Sequence, residues 1–301
     1  MSVLTTKPQR APSSKKRSGA LDRELPNQRE IQAYLDSRIA GERDEKLWAA
    51  QDFIYDAWER TSARSRIALA YKALRLSPLC ADGYNVLAAE TTSPKQACDL
   101  YSKGIQAGRM ALGPEGFKQH AGNFWRVLET RPYMRSMAGL AETYKNLGEP
   151  GMATALYQEM LTLNPNDNQG ARYLLAALLL GCGDDKALKT LLTAYRTDGS
   201  PHWLYTKALV AFRASGANDR RAIALARTAL MGNRHVPRIL SNASQLEFRA
   251  DGYVTVGQSS EASYYVVEFG GSWHGTPGAV DWLNKVAAQV ATLVRGAATL
   301  H

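Results

Sequence analysis

The sequence is poor in the features that would place it outside the cell or in a membrane. It contains only three cysteines, Cys80, Cys98 and Cys182, which lie far apart and form no C-x-x-C pair. Such cysteines are typical of reduced thiols rather than of disulfides or zinc ligands. No apolar run approaches the roughly 18 residues of a membrane helix, and the N-terminus has no apolar leader segment. These absences predict a cytoplasmic protein without a membrane span.

The sequence motifs of catalysis and of metal or cofactor binding are missing too. There is no G-x-x-x-x-G-K-[ST] loop and no G-x-G-x-x-G turn. The five histidines form no H-x-x-x-H or H-E pair. Asn164 and Leu175 hold the two positions at which a calcium-binding loop needs acidic ligands. We therefore expect no enzyme activity, no cofactor and no metal site.

The net charge of +9 is unevenly distributed along the chain. Residues 1–25 contain six basic and two acidic residues, which leaves +4 in this segment and +5 in the remainder. Large apolar side chains are scarce there, so the segment cannot offset the entropy lost on ordering. We predict a disordered basic tail over residues 1–26. One alternative function is a nucleic-acid-associated protein that uses this tail for weak, salt-sensitive binding, although no basic and aromatic interleaving accompanies it.

What the sequence does contain is a repeating pattern of short amphipathic helices. The clearest example spans residues 134–167, where Gly148 separates two apolar stripes and Pro165 follows the second. Similar pairs follow over residues 168–199 and from His202 onward. Helix pairs that recur about every 34 residues predict a stack in which each pair packs on its neighbours. The stripes are Met137, Leu140, Ala141 and Tyr144 on the first helix, and Ala153, Tyr157, Met160 and Leu161 on the second.

This stretch resembles the tetratricopeptide repeat. The residues that match its motif are Leu140, Ala141, Tyr144, Gly148, Ala153, Tyr157 and Pro165. Met137 stands where the motif opens on an aromatic residue. The resemblance implies an all-α, right-handed superhelical solenoid of antiparallel helix pairs that serves as a scaffold for protein interactions. The ordered set of Lys, Asn and Arg with which some members hold chaperone C-termini is incomplete, because the asparagine pair is missing.

A second resemblance covers about residues 47–285. Bacterial tetratricopeptide proteins related to the suppression-of-tumorigenicity-seven family show the run LETRPYMR, which is residues 128–135 here. The C-terminal part is similar to that family at Asn233, His235, Val236, Pro237, Arg238 and Leu240, and again at Gly257, Glu261, Ala262, Tyr264, Trp273, Gly278, Ala279 and Leu283. The family has no established chemistry that this resemblance would transfer.

These patterns predict the organisation of the chain. Four regions follow one another: a disordered basic tail over 1–26, an N-terminal capping helix over 27–46, a helical repeat domain over 47–240, and C-terminal capping helices over 241–301. The repeat is interrupted by an irregular insertion at 107–133, which is rich in glycine. Loops carried by a rigid scaffold are where binding usually occurs.

Two sets of residues are candidates for binding a protein or peptide partner. The first set lies beside the stacking stripes of the first helix in each pair, which would line a concave groove: Arg135, Glu142, Lys145, Arg172, Tyr173, Trp203 and Lys207. The second set is a possible clamp in the insertion: His120, Trp125, Arg126 and Glu129. Phe124, Trp125 and Leu128 could instead complete the core of an irregular repeat. A further alternative is an uncharacterised enzyme whose site lies around this insertion.

Overall fold

All regular elements of the described chain are helices. The computed structural model describes residues 25–38, 44–250 and 252–298, and no strand occurs in these ranges. The predicted all-α class is therefore confirmed. The predicted basic tail lies outside the described residues except for its last two positions.

The described chain forms two compact units that meet in sequence between Ala171 and Arg172. The helices of the N-terminal unit are α1 (Gln28–Asp36), α2 (Glu45–Glu59), α3 (Ala63–Leu76), α4 (Ala81–Glu90), α5 (Pro94–His120), α6 (Arg131–Asn146) and α7 (Pro150–Leu163). Those of the C-terminal unit are α8 (Ala171–Cys182), α9 (Asp185–Ala194), α10 (Pro201–Ser215), α11 (Arg220–Gly232), α12 (Val236–Ser241), α13 (Ser259–His274) and α14 (Ala279–Ala298), with a short 3-10 helix at Ala243–Gln245.

Side-chain caps fix the beginnings of several helices. Asn27 accepts hydrogen bonds from the first turn of α1, and Glu30 accepts one from the Asn27 backbone, so the two residues form a capping box. Ser93 caps α5, and Pro94 occupies its first position, where a missing N–H costs nothing. Local sequence thus sets where these helices start.

The N-terminal unit is a run of helix pairs in which each pair packs on the next. Helix α2 packs on α3, α4 on α5, and α6 on α7, and each pair also contacts the next through α3–α4 and α5–α6. The first helices of successive pairs touch as well, since α2 contacts α4 and α4 contacts α6. Buried Ile54, Leu74, Leu87 and Leu100 belong to the core that α2 to α5 share.

The expected insertion at 107–133 is more regular than its glycine content suggests. Helix α5 continues to His120, with a break at Gly113, whose φ of 61° is a left-handed conformation that favours glycine. Residues 121–130 form turns, and α6 begins at Arg131. Phe124 is fully buried, and its ring centroid lies 5.1 Å from that of Phe117 and 6.1 Å from that of Tyr133. This segment therefore contributes an aromatic cluster to the unit's interior.

In the C-terminal unit, the last helices fold back onto earlier ones. Helix α13 packs on α10, and α14 packs on α11 and α12. The Arg213 guanidinium in α10 donates hydrogen bonds to the carbonyls of Leu180 (3.1 Å) and Ser272 (3.2 Å) and to the Thr276 hydroxyl (2.8 Å). One side chain thus ties α10 to the end of α8 and to the end of α13.

No helix among the described residues is both long enough and apolar enough to cross a membrane.

Candidate functional site

The first helices of the N-terminal unit are joined by a buried ion pair. Asp82 on α4 has no exposed surface, and Arg135 on α6 binds it through two nitrogens, one of which, Nε, lies 2.8 Å from Oδ1. Gln51 Nε2 on α2 donates to Asp82 Oδ2 (2.9 Å), and Asn85 Nδ2 donates to Asp82 Oδ1 (2.9 Å). Arg135 was predicted as a partner-binding residue, but its main contact is internal, with about a quarter of its side chain exposed.

Two aromatic side chains lie exposed beside this ion pair. Tyr55 and Trp58 on α2 are 43% and 47% exposed, and their ring centroids are 5.5 Å apart. The Arg135 guanidinium lies 5.0 Å from the centre of the Trp58 ring, within cation–π range. Neither residue is among the binding residues predicted from the sequence, which come from the insertion and from the helix pairs after residue 134. The signal that could have found them is the i, i+3 spacing of two aromatic residues flanked by carboxylates.

The other predicted groove residues of this unit, Glu142 and Lys145, lie one turn apart on α6. Lys145 Nζ is 3.3 Å from Glu142 Oε1, and the Tyr157 hydroxyl lies 3.4 Å from Glu142 Oε2. The Glu142 side chain is 40% exposed and that of Lys145 is 23% exposed. Both side chains therefore reach the surface. Because solvent screens this ion pair, it contributes little to the free energy of unfolding.

In the C-terminal unit, three of the predicted groove residues form a closed cluster around Asp198. Arg172 Nε and the Tyr173 hydroxyl each donate to Asp198 Oδ2 at 2.9 Å. The Arg172 guanidinium also lies 4.2 Å from the centre of the Tyr173 ring and 5.8 Å from that of fully buried Trp203. Burial raises the pKa of Tyr173 to about 12, with the Asp198 carboxylate acting in the same direction. Arg172, Tyr173 and Trp203 thus bind one another.

Lys207, the remaining groove candidate, lies one helical turn beyond Trp203 on α10. Its ammonium is 3.4 Å from the carbonyl oxygen of Arg196. Burial lowers the pKa of Lys207, and the nearby Asp198 opposes that shift. The side chain is half-buried at the edge of the Asp198 cluster.

His202 lies among aromatic rings next to this cluster. Its ring centroid is 4.6 Å from that of Tyr173 and 5.6 Å from those of Tyr265 and Phe269. Burial in this environment lowers the pKa of His202 from about 6.5 to about 4, Arg172 acts in the same direction, and Asp198 opposes it. His202 is therefore neutral in the folded protein at neutral and mildly acidic pH.

We expect this half-buried histidine to make the protein acid-sensitive. Between pH 6.5 and 4 the unfolded chain binds a proton at His202 that the folded chain does not, so the free energy of unfolding falls as the pH falls. The full effect is up to about 3 kcal/mol. The measurement is urea unfolding at pH 7.0, 5.5 and 4.5 for wild type and His202→Phe, with the exposed His274→Gln as control. If wild type and His202→Phe lose stability in parallel, the proposed protonation is wrong.

The structure does not bring the insertion clamp together. Arg126 and Glu129 are exposed in the turns after α5, and Trp125 and His120 are half-buried. Among the described residues, no hydrogen bond or ion pair joins His120, Arg126 or Glu129 to one another. Trp125 is instead held by Arg131, whose Nε donates to the Trp125 carbonyl (2.9 Å) and whose guanidinium lies 5.5 Å from the indole centre. The clamp residues therefore provide no assembled base and partner for the enzyme alternative.

Several residues of the C-terminal resemblance form a buried hydrogen-bonded junction. Asn233, at the end of α11, donates to Glu261 Oε2 (2.9 Å) and to the Gln258 carbonyl (3.0 Å). The Gly257 N–H donates to the same Glu261 oxygen (2.7 Å). Asn233 and Glu261 are 1% and 8% exposed, so this carboxylate organises the start of α13. These residues therefore stabilise the packing of α11 against the start of α13.

No group of three or more His, Cys, Asp or Glu side chains suited to a metal ion occurs in the described part of the chain. The chain matches no known protein family and no curated protein. The interpretation of the site therefore depends on its own residues.

Proposed function

We propose that this protein is a non-catalytic adaptor that binds a peptide segment of a partner protein on the first helices of its N-terminal unit. On this proposal the helix pairs α2–α3, α4–α5 and α6–α7 are tetratricopeptide-like repeats of a right-handed solenoid. The contacts of α2 with α4 and of α4 with α6 support it, because first helices line the concave face of such an array. A cytoplasmic setting is part of the proposal, and free Cys80, Cys98 and Cys182 are compatible with it.

The observation that carries the proposal is the exposed pair Tyr55 and Trp58 beside Arg135. Tyrosine, tryptophan and arginine are the residue types most enriched where binding energy concentrates in protein interfaces. The rings expose a large fraction of their surface, while Arg135 is held rigidly by Asp82. A peptide laid across α2 and α6 would bury apolar ring surface without first having to order the arginine.

The C-terminal unit is not required for this binding site. Arg172, Tyr173 and Trp203 are occupied by Asp198 and by one another. A test based on Arg172→Glu would place a second carboxylate beside Asp198 and would disturb the fold before it reported on binding. Tyr55 and Trp58 are better test positions. Their rings lie at the surface, so replacing them with alanine does not open a cavity in the core.

We expect the double variant Tyr55→Ala, Trp58→Ala to lose peptide binding. A random peptide library displayed on phage is selected against the purified full-length protein, and the affinities of enriched peptides are measured by fluorescence anisotropy. Binding to the double variant should weaken at least about tenfold, the range expected when interface aromatics are truncated.

The matched control is Phe248→Ala, Tyr253→Ala, which removes two exposed aromatic rings from the C-terminal unit. This variant should bind the selected peptides as wild type does. Enriched peptides that bind both double variants with unchanged affinity would show that the α2 face is not the binding site. A selection that enriches no peptide at all would count against the adaptor function itself.

A further inference from the structure

Helix α2 carries an acidic surface on a chain that is basic as a whole. The helix contains four carboxylates and a single lysine, against a net charge of +9 for the whole chain. Asp52, Asp56 and Glu59 are exposed, and none of them has a hydrogen-bond or ion-pair partner among the described residues. None of these three carboxylates is thus neutralised by a direct ion pair within the described structure.

These carboxylates flank the exposed aromatic rings. On a helix, residues three and four positions apart are neighbours, so Asp52 adjoins Tyr55 and Asp56, and Tyr55 adjoins Trp58 and Glu59. Aromatic faces attract ammonium and guanidinium groups, and adjacent carboxylates add charge attraction. The ligand that this surface fits is therefore a peptide segment with several lysines or arginines. Arg135 approaches the same Trp58 ring, but Asp82 neutralises it.

The chain itself contains such a segment. Residues 10–17 carry Arg10, Lys15, Lys16 and Arg17 and no acidic residue. Leu25, which follows eight positions after Arg17, packs against the core cluster that includes Ile54 of α2. Eight residues span at most about 28 Å, whereas the 15 residues of α2 extend for about 22 Å. The eight-residue connection, fully extended, is thus longer than helix α2 itself.

We propose that residues 10–17 bind the surface formed by Asp52, Tyr55, Asp56, Trp58 and Glu59, and that they compete there with a partner peptide. The contact is inferred from the carboxylates and aromatic rings of α2 and from the basic residues of the segment. The competition, in contrast, depends on the proposed function. The N-terminal segment then acts as an internal competitor that a partner must displace.

The short connection to Leu25 is what makes a weak contact effective. A segment tethered by a linker of this length has an effective local concentration on the order of a millimolar. If the free segment binds with a dissociation constant of about 0.1 mM, the tethered segment occupies the surface most of the time and lowers the apparent affinity of a competitor about tenfold.

The test uses full-length chains and a fluorescein-labelled synthetic peptide of residues 9–18, QRAPSSKKRS. Binding is measured by anisotropy at low salt to wild type and to the triple variant Lys15→Glu, Lys16→Glu, Arg17→Glu. The triple variant cannot occupy its own surface, so it should bind the peptide about tenfold more tightly than wild type does.

A charge-matched control separates this effect from a general change in net charge. Arg220→Glu, Arg221→Glu, Arg227→Glu alters three exposed arginines of α11 by the same total charge and should bind the peptide as wild type does. Adding Asp52→Asn, Asp56→Asn, Glu59→Gln or Tyr55→Ala, Trp58→Ala to the N-terminal triple variant should abolish the gain. Circular dichroism checks that each chain is folded. If the chain with Tyr55→Ala, Trp58→Ala does not fold, the chain with Asp52→Asn, Asp56→Asn, Glu59→Gln still provides the test.

Two outcomes would overturn the proposal. Equal affinity of wild type and the N-terminal triple variant would mean that the segment does not occupy the surface, even if the added peptide binds there as an external basic ligand. Unchanged binding after the changes in α2 would place the contact elsewhere. The adaptor proposal fails separately, when the library selection enriches no peptide while the 9–18 peptide still binds.

Discussion

Replacing Arg135 with alanine is expected to lower the free energy of unfolding by about 3–5 kcal/mol, the cost of leaving a buried charge without its partner. Asp82 has no exposed surface, and after the substitution the neutral amides of Gln51 and Asn85 would remain as its hydrogen-bond donors among the described residues. Urea unfolding at pH 7 followed by far-ultraviolet circular dichroism measures the loss.

Two companion variants make this expectation specific. Lys145→Ala also removes a cation from an ion pair on α6, but its partner Glu142 is 40% exposed, so the loss should stay within about 1 kcal/mol. The double variant Asp82→Leu, Arg135→Met removes both charges and should recover much of the stability lost in Arg135→Ala. Equal losses for Arg135→Ala and Lys145→Ala would show that the Asp82 pair is not a buried one.

Truncating Tyr157 is expected to cost about 3–5 kcal/mol, as for other aromatic side chains in a packed core. Tyr157 on α7 is 1% exposed, and its substitution with alanine would leave a cavity between α6 and α7. The sequence pattern predicts an equal cost at Tyr144, but that side chain is half-buried. Tyr144→Ala should therefore cost only about 1–2 kcal/mol.

The comparison of these two tyrosines also tests the helix register. Thermal and urea unfolding of both alanine variants, with wild type measured in parallel, gives the two free-energy differences. A larger loss at Tyr144 than at Tyr157 would contradict the burial of α6 and α7 described above.

The helices themselves follow from local sequence. Asn27 with Glu30, Ser93 with Pro94, and the glycine between α6 and α7 mark helix ends through side-chain and backbone chemistry that acts within a few residues. The apolar periodicity of residues 134–167 locates α6 and α7 for the same reason. By contrast, Gly113 interrupts α5 with a left-handed conformation, and Pro114 opens the helical stretch that runs on to His120. The glycine content of this region therefore marks a kink within a helix and not an irregular loop.

The roles of the candidate site residues depend on contacts that no local pattern encodes. Arg135 meets Asp82 across 53 positions of sequence, and Arg172 meets Asp198 across 26. A charged residue beside an apolar stripe looks accessible from sequence alone, and only the fold shows that a carboxylate already binds it. Tyr55 and Trp58 illustrate the converse, because aromatic residues are commonly assigned to a core and these two lie at the surface.

The order of contacts along the chain has a consequence for folding kinetics. From α2 to α7, each helix packs on helices one or two places away in sequence, so the N-terminal unit closes only short loops and should fold rapidly. The C-terminal unit must instead wait for α13 and α14 to return to α10 and α11. During synthesis the N-terminal unit would therefore be complete while α10 and α11 still expose the apolar surfaces that α13 and α14 later cover. An incomplete chain ending before α13 should accordingly be the species most prone to aggregation.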